Sequence, residues 1–259
     1  MKKNIFVLTS LMLTLGCGCD SFLDETNYSD VTSEGGYYDT EAGLNAVVNA
    51  CYTPLRFWAG KEDAIGLSET GTDIIAAGSG CVDNNMAAYT QSLDGTNSAC
   101  TFYFDRFYAA INWCNTAIFH AQTVPNPSND EILATTLNKR EAEARVLRTF
   151  YYWILTETFG DTYYTDQPST SIVMNPVKTS TDNIYQYMFD DLDWAIKSKL
   201  STLQNDGGRV TIWTAKALKA RLLLTRASEK NDVDMYGQAY DLAKDVIENG
   251  PFELAEDFA

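Results

Sequence analysis

Apolar residues recur at three- and four-residue intervals over most of the chain, the period of helices with one buried face. From Thr40 to Trp58 the stripe is Leu44, Val47, Val48, Cys51, Tyr52 and Leu55, with Thr40 placed as the N-cap. A second stripe runs through "TFYFDRFYAAINWCNTAIFHAQ" on Phe104, Phe107, Tyr108, Ile111, Cys114 and Ile118. After "PNPSND" the stretch "EILATTLNKREAEARVLRTFYYWILTETFGD" carries Leu147, Phe150, Tyr151, Ile154 and Leu155, closed by Gly160 as a C-cap. Residues 161–180 are Thr-rich and read as extended, because Pro168 and Pro176 cannot sit inside a helix. "STDNIYQYMFDDLDWAI" then opens with capping residues and places Ile184, Tyr185, Met188, Phe189, Leu192, Ala195 and Ile196 on one side. "GGRVTIWTAKALKARLLLTRASEK" and "DMYGQAYDLAKDVIENGP" predict a last pair, ended by Gly250 and Pro251.

The pattern therefore predicts six helices and almost no strand. Residues 60–100 break the helical period and fill with Gly, Ser, Thr, Asn and Asp, which predicts ordered loops with a short helix or strand. A loop of that length inside a compact domain is often functional. Two helices share local text, "EARVL" at Glu143–Leu147 and "KARLL" at Lys219–Leu223, so the units read as αα-hairpins packed side by side. No clean 34-residue period runs through them. The fold class expected is mainly α, a tetratricopeptide-like αα-hairpin array with long irregular loops.

The N-terminus follows other rules. Lys2 and Lys3 precede an uncharged run from Ile5 to Leu15, a positive region followed by a short apolar one, as in an export signal. The run is too short for a bilayer-spanning helix, which needs about 20 apolar residues. It leads directly into Cys17 and Cys19, where a bacterial lipoprotein carries its lipid. Cys19, followed by "DSFLD", is the first candidate for acylation and Cys17 the second. Residues 1–18 are accordingly expected to be a lipoprotein signal peptide, and residues 19–259 the helical domain.

The chain of 259 residues carries a formal charge of −16. Cleavage before Cys19 leaves 17 basic residues against 35 acidic ones, a charge of −18. Such a surface repels phosphate backbones, and no Lys/Arg cluster offsets it, so nucleic acid is not an expected partner. Cys51 and Cys114 lie in helical stripes and are expected as buried thiols, whereas export permits a disulfide between Cys81 and Cys100. Cysteine spacing gives no metal site, and no cofactor motif is present.

Nothing in the chain assembles as catalytic machinery. His120 is the sole histidine and ends a helical stripe, where packing or capping is the expected role. HExxH, GxSxG and GxxxxGK[ST] are absent. Asp190, Asp191 and Asp193 read as a solvated helix face, and Glu141 with Arg145 as a helix-surface pair. The expectation is a protein that is not an enzyme. Sugar capture, by contrast, needs flat aromatic faces and polar groups for hydroxyls. The long loop supplies Trp58, Asp63, Asp73, Asn84, Asn85 and Tyr89 for this, with Tyr89 and Asp73 first among them.

"CDSFLDETN", "TEAGLNAVVNACYTPL", "EARVLRTFYYWILTETFGD", "GRVTIWTAKALKARLLL" and "YGQAYDLAKDVIENGPFEL" follow one another as in the SusD/RagB family, which the chain resembles over nearly its whole length. The resemblance implies a lipid-anchored protein at the outer surface of the cell outer membrane in Bacteroidota. It implies a tetratricopeptide-like scaffold acting as a lid on a SusC-type TonB-dependent transporter. Glycans, or peptides in some members, are the implied cargo, and the stretch "SETGTD" falls at the family's ligand-facing Thr-Asp segment. Family members are longer, which implies that the chain is truncated at its C-terminus. A helical-repeat scaffold that holds another protein without binding sugar is the alternative reading.

Overall fold

The computed structural model describes residues 36–59, 62–76, 78, 87–126, 128–198, 200 and 208–254. The chain divides into two units, Met1–Tyr37 and Tyr38–Ala259, and the helices and strands of the described residues all belong to the second. The lipidation candidates Cys17 and Cys19, the ligand candidates Asn84 and Asn85, and Cys81 of the expected disulfide all lie outside the described residues.

Eight helices and two short strands succeed one another among the described residues. They are α1 (Glu41–Tyr52), α2 (Leu55–Ala59), α3 (Glu62–Ser68), α4 (Ser98–Thr123), α5 (Glu131–Phe159), β1 (Thr162–Tyr163), β2 (Lys178–Thr179), α6 (Thr181–Lys197), α7 (Ile212–Lys230) and α8 (Val233–Asn249). The six long helices are those the apolar periodicity predicts. The first is shorter than expected, because Thr53 and Pro54 divide the stripe into α1 and α2. Proline has no amide proton for a continuing helix, so the chain restarts there, and Trp58 lies on a separate short helix.

Local chemistry sets the ends. The Thr40 hydroxyl accepts from the Gly43 amide at 3.0 Å, and Asp130, Ser180 and Asp232 cap α5, α6 and α8 in the same way. Thr211 and Thr214 form a reciprocal capping box at α7. Asn231 takes the left-handed conformation at the end of α7, which lets α8 reverse direction within two residues. β1 pairs antiparallel with β2, with Thr162 opposite Thr179, and closes the loop between α5 and α6.

α5 is the centre of the array, packing on α1, α4, α6 and α7. Surrounded in this way, it buries residues around its circumference, including Tyr151, Leu155 and Ala142 along with the polar Glu141, Glu143 and Arg148. Cys51 and Cys114 are fully buried thiols, and the Cys51 Sγ donates to the Val47 carbonyl. Each Leu or Ile of this core contributes about 1.5–3 kcal/mol by leaving water. His120 is buried near the end of α4, with its Nδ1 2.8 Å from Asp39 Oδ1.

Candidate functional site

The connector from Glu69 to Asn97 is anchored at both ends. At its start α3 packs on α4, and the Thr72 hydroxyl donates to the Glu69 carbonyl at 2.7 Å. Gly71 has φ +88°, a backbone conformation that glycine adopts freely, and Thr70 bridges to Ile75. At its end Asn97 caps α4, its Oδ1 accepting from the Ala99 and Cys100 amides. Just before it, the hydroxyl and amide of Thr96 both donate to Asp94. These bonds hold the Asp94 carboxyl below its ordinary pKa, so it is a carboxylate at neutral pH.

On this frame Tyr89 is 72% exposed and has φ +48°. A bulky residue gains nothing from the left-handed region, so neither packing nor local preference accounts for its ring standing in solvent. Asp73 is also exposed, beside the exposed Ile74. Trp58 is placed differently. It is half-buried, edge-on to Tyr103 with ring centroids 5.8 Å apart and tilted against Phe107, so much of its surface already serves packing. Phe57, its neighbour in the chain, meets Phe102 edge to face, and the Arg106 guanidinium sits 5.1 and 5.2 Å from the two ring centroids. Asp63 belongs to α3.

Charge along the connector is one-sided. Residues 69–97 contain Glu69, Asp73, Asp83 and Asp94 and no Lys or Arg. Hydroxyls and the single Tyr89 ring suit a neutral polyhydroxyl ligand, and the carboxylates disfavour an anionic one. Among the described residues no group of three or more His, Cys, Asp or Glu is placed to hold a metal ion. No helix among them is long and apolar enough to cross a membrane.

Two buried polar clusters have no counterpart in the sequence pattern. Asp191, expected on a solvated face with Asp190 and Asp193, is 5% exposed and receives Arg145 at 2.6 Å and Arg148 at 2.8 Å. Its neighbour Asp190 does face solvent. Arg148 also donates to Asn115, which holds the carbonyls of Thr165 and Gln167 and so pins the α5–α6 loop. Burial alone would lower the Arg148 pKa, but the Asp191 carboxylate outweighs it and the net shift is upward. The second cluster centres on Glu143, which accepts from Tyr52 and Arg209 at 2.7 Å and from Arg140. A run of like charges on a helix gives no sign of which member faces a neighbour. The Glu141–Arg145 pair forms as expected, although Glu141 is buried.

The helical-hairpin array is a known type, and comparison identifies it. Residues 72–258 match the SusD-like family described as "Starch-binding associating with outer membrane", and the chain belongs to that family. A SusD-like protein of Bacteroides ovatus is 26% identical over 100% of this chain and 46% of its own length. SusD-like protein P2 of Formosa agariphila is 26% identical over 96% of this chain and 47% of its own. The chain thus spans about half the length of the curated relatives it matches.

Solved structures share the fold. A SusD superfamily protein from Parabacteroides distasonis superposes with a TM-score of 0.71 at 22% identity, over 84% of this chain and 46% of its own. A structure with xylogluco-oligosaccharide gives 0.67 at 23% identity, over 82% and 41%. A laminarin-binding SusD-like protein gives 0.65 at 20% identity, over 82% and 44%.

Proposed function

We propose that this chain belongs to a non-catalytic, surface-exposed lipoprotein of the outer membrane that binds neutral oligosaccharides and delivers them to a SusC-type TonB-dependent transporter. Lipid on Cys19, with Cys17 as the second candidate, would supply the anchor. Two acyl chains suffice for this, each buried CH₂ contributing about 0.8 kcal/mol. Residues 69–97 provide the sugar-facing surface, with the Tyr89 ring as platform and Asp73 as a hydroxyl partner. Asn84 and Asn85 are further amide partners on the same connector, and Trp58 is a secondary contact at its root.

The observation that carries this reading is Tyr89 itself, an exposed aromatic held in a disfavoured backbone conformation inside the family-matched region. Relatives crystallised with xylogluco-oligosaccharide or described as laminarin-binding supply the ligand class. The acid-only connector argues for neutral over anionic glycans.

Titration calorimetry with laminarin oligosaccharides, xyloglucan oligosaccharides and oligogalacturonate tests it. The expected result is binding of a neutral glycan, weakened about tenfold, or roughly 1.4 kcal/mol, by Tyr89→Ala. A folded protein that binds only oligogalacturonate, or none of the three, would overturn the proposal.

A further inference from the structure

Cys51 and Cys114 meet where α1 packs on α4. Each is wholly buried, Cys51 on the α1 stripe with Leu44, Val47 and Val48, and Cys114 between Ile111 and Ile118 on α4. Their thiols are hydrogen-bond partners. The Cys51 Sγ already donates to the Val47 carbonyl at 3.2 Å, so it meets Cys114 with a sulfur lone pair. Tyr151 of α5 fixes the neighbourhood, its hydroxyl donating to the Cys51 carbonyl at 2.6 Å and its ring stacked on Phe107 of α4. Cys100 does not compete for Cys51, because it lies about four turns before Cys114, about 20 Å along α4.

We infer that Cys51 and Cys114 close as a disulfide that staples α1 to α4. This rests on the export proposed above, since cytosolic thiols are kept reduced. The oxidant is another disulfide. One cysteine thiolate attacks it, forming a mixed disulfide and releasing one thiolate. The second cysteine thiolate then attacks the first cysteine's sulfur, forms the Cys51–Cys114 bond and releases the other. Two cysteines are thereby oxidised, the oxidant's S–S bond is reduced by two electrons, and the two protons end on its thiols. Burial holds the folded Cys114 thiol well above its ordinary pKa, which leaves it inert, so the bond forms during folding, before α1 is locked. The closed loop, residues 52–113, contains α2, α3 and the connector from Glu69 to Asn97. The staple therefore ties together the two roots of the proposed sugar-facing surface, in the unfolded chain as well as the folded one.

The test uses the full chain with Cys17→Ser and Cys19→Ser, reduced in denaturant and refolded in a mixture of oxidised and reduced glutathione. Free thiols are then alkylated in denaturant and the chain is cut with trypsin. Cleavage after Arg56, Lys61, Arg106 and Lys139 puts Cys51, the Cys81 and Cys100 pair, and Cys114 on three separate peptides. The expected result is a link between the peptide ending at Arg56 and that spanning 107–139. Dithiothreitol should then raise the unfolded-to-folded ratio at least about a hundredfold in urea, a response that Cys114→Ser abolishes. A refolded helical chain with Cys51 and Cys114 both alkylated overturns the inference, as does Cys51 joined to Cys81 or Cys100. Refolding in glutathione needs no export, so either result stands apart from the fate of that reading.

Discussion

Arg148 and Asp191 meet inside the helical array, with Arg148 Nε and Nη2 each 2.8 Å from a carboxylate oxygen, although 43 residues separate them in the chain. The pair joins α5 to α6, and Asn115 extends it to α4 and to the loop that follows α5. A buried ion pair of this geometry adds little net stability over an apolar pair, because desolvation offsets most of the attraction. Removing one member is a different matter.

Asp191→Ala strands the Arg148 guanidinium in the core and releases Arg145. The expected loss is about 3–5 kcal/mol, read as a lower midpoint in urea. Arg148→Met combined with Asp191→Leu should cost much less than either single change. Equal losses for the double and single variants would mean that the site fails through packing rather than charge.

Tyr89→Gly separates strain from function. Glycine relieves the left-handed backbone, worth roughly 1–2 kcal/mol, and gives part of it back as chain entropy, roughly 0.5–1 kcal/mol. The unfolding midpoint should hold or rise slightly while glycan affinity falls. A variant with full affinity would remove Tyr89 from the binding surface.

Gly160 has φ +70° and ψ −137°, a combination that glycine alone adopts readily, at the end of α5. No atom lies within 4 Å of a Cβ placed there, so Gly160→Ala is a test of backbone conformation alone. Its expected cost is roughly 1–3 kcal/mol by thermal unfolding.

Alkaline stability follows from the buried tyrosines. Burial raises Tyr164 from 10.0 to about 12, and it raises Tyr52, Tyr151, Tyr152 and Tyr185 further. A raised folded pKa means that the folded state holds its proton more tightly than the unfolded one. Their contribution is therefore complete below about pH 10 and is lost as pH rises towards about 12 and beyond. Tyrosinate absorbance at alkaline pH should show a group of tyrosines that titrate only together with the loss of helicity. Smooth titration of all of them near pH 10 with the helices intact would contradict their burial.

The long helices were legible because each has a single apolar face that repeats over several turns. Thr40 and Gly160 act at helix ends as their residue types indicate, whereas Gly250 ends α8 in an extended conformation, φ −75°. The break at Pro54 was hidden because Leu55 continues the stripe across it. Asp191 reads as solvated in the sequence because periodicity reports apolar faces, and a buried charge is visible only once its partner is known. Among the ligand candidates, Tyr89 and Asp73 are exposed, whereas Trp58 shares its ring with the core.

The reach of the contacts made by α1 has a consequence for how this chain acquires its shape. Tyr52 bonds to a carboxylate 91 residues later, the Cys51 carbonyl accepts from Tyr151 across 100, and Asn49 accepts from Arg209 across 160. A ribosome delivers α1 first, so this helix must wait for most of the polypeptide before its polar partners exist. Local helix formation is fast, but closure over such separations is slow. The earliest of the described helices to be synthesised is thus among the last to be locked in place.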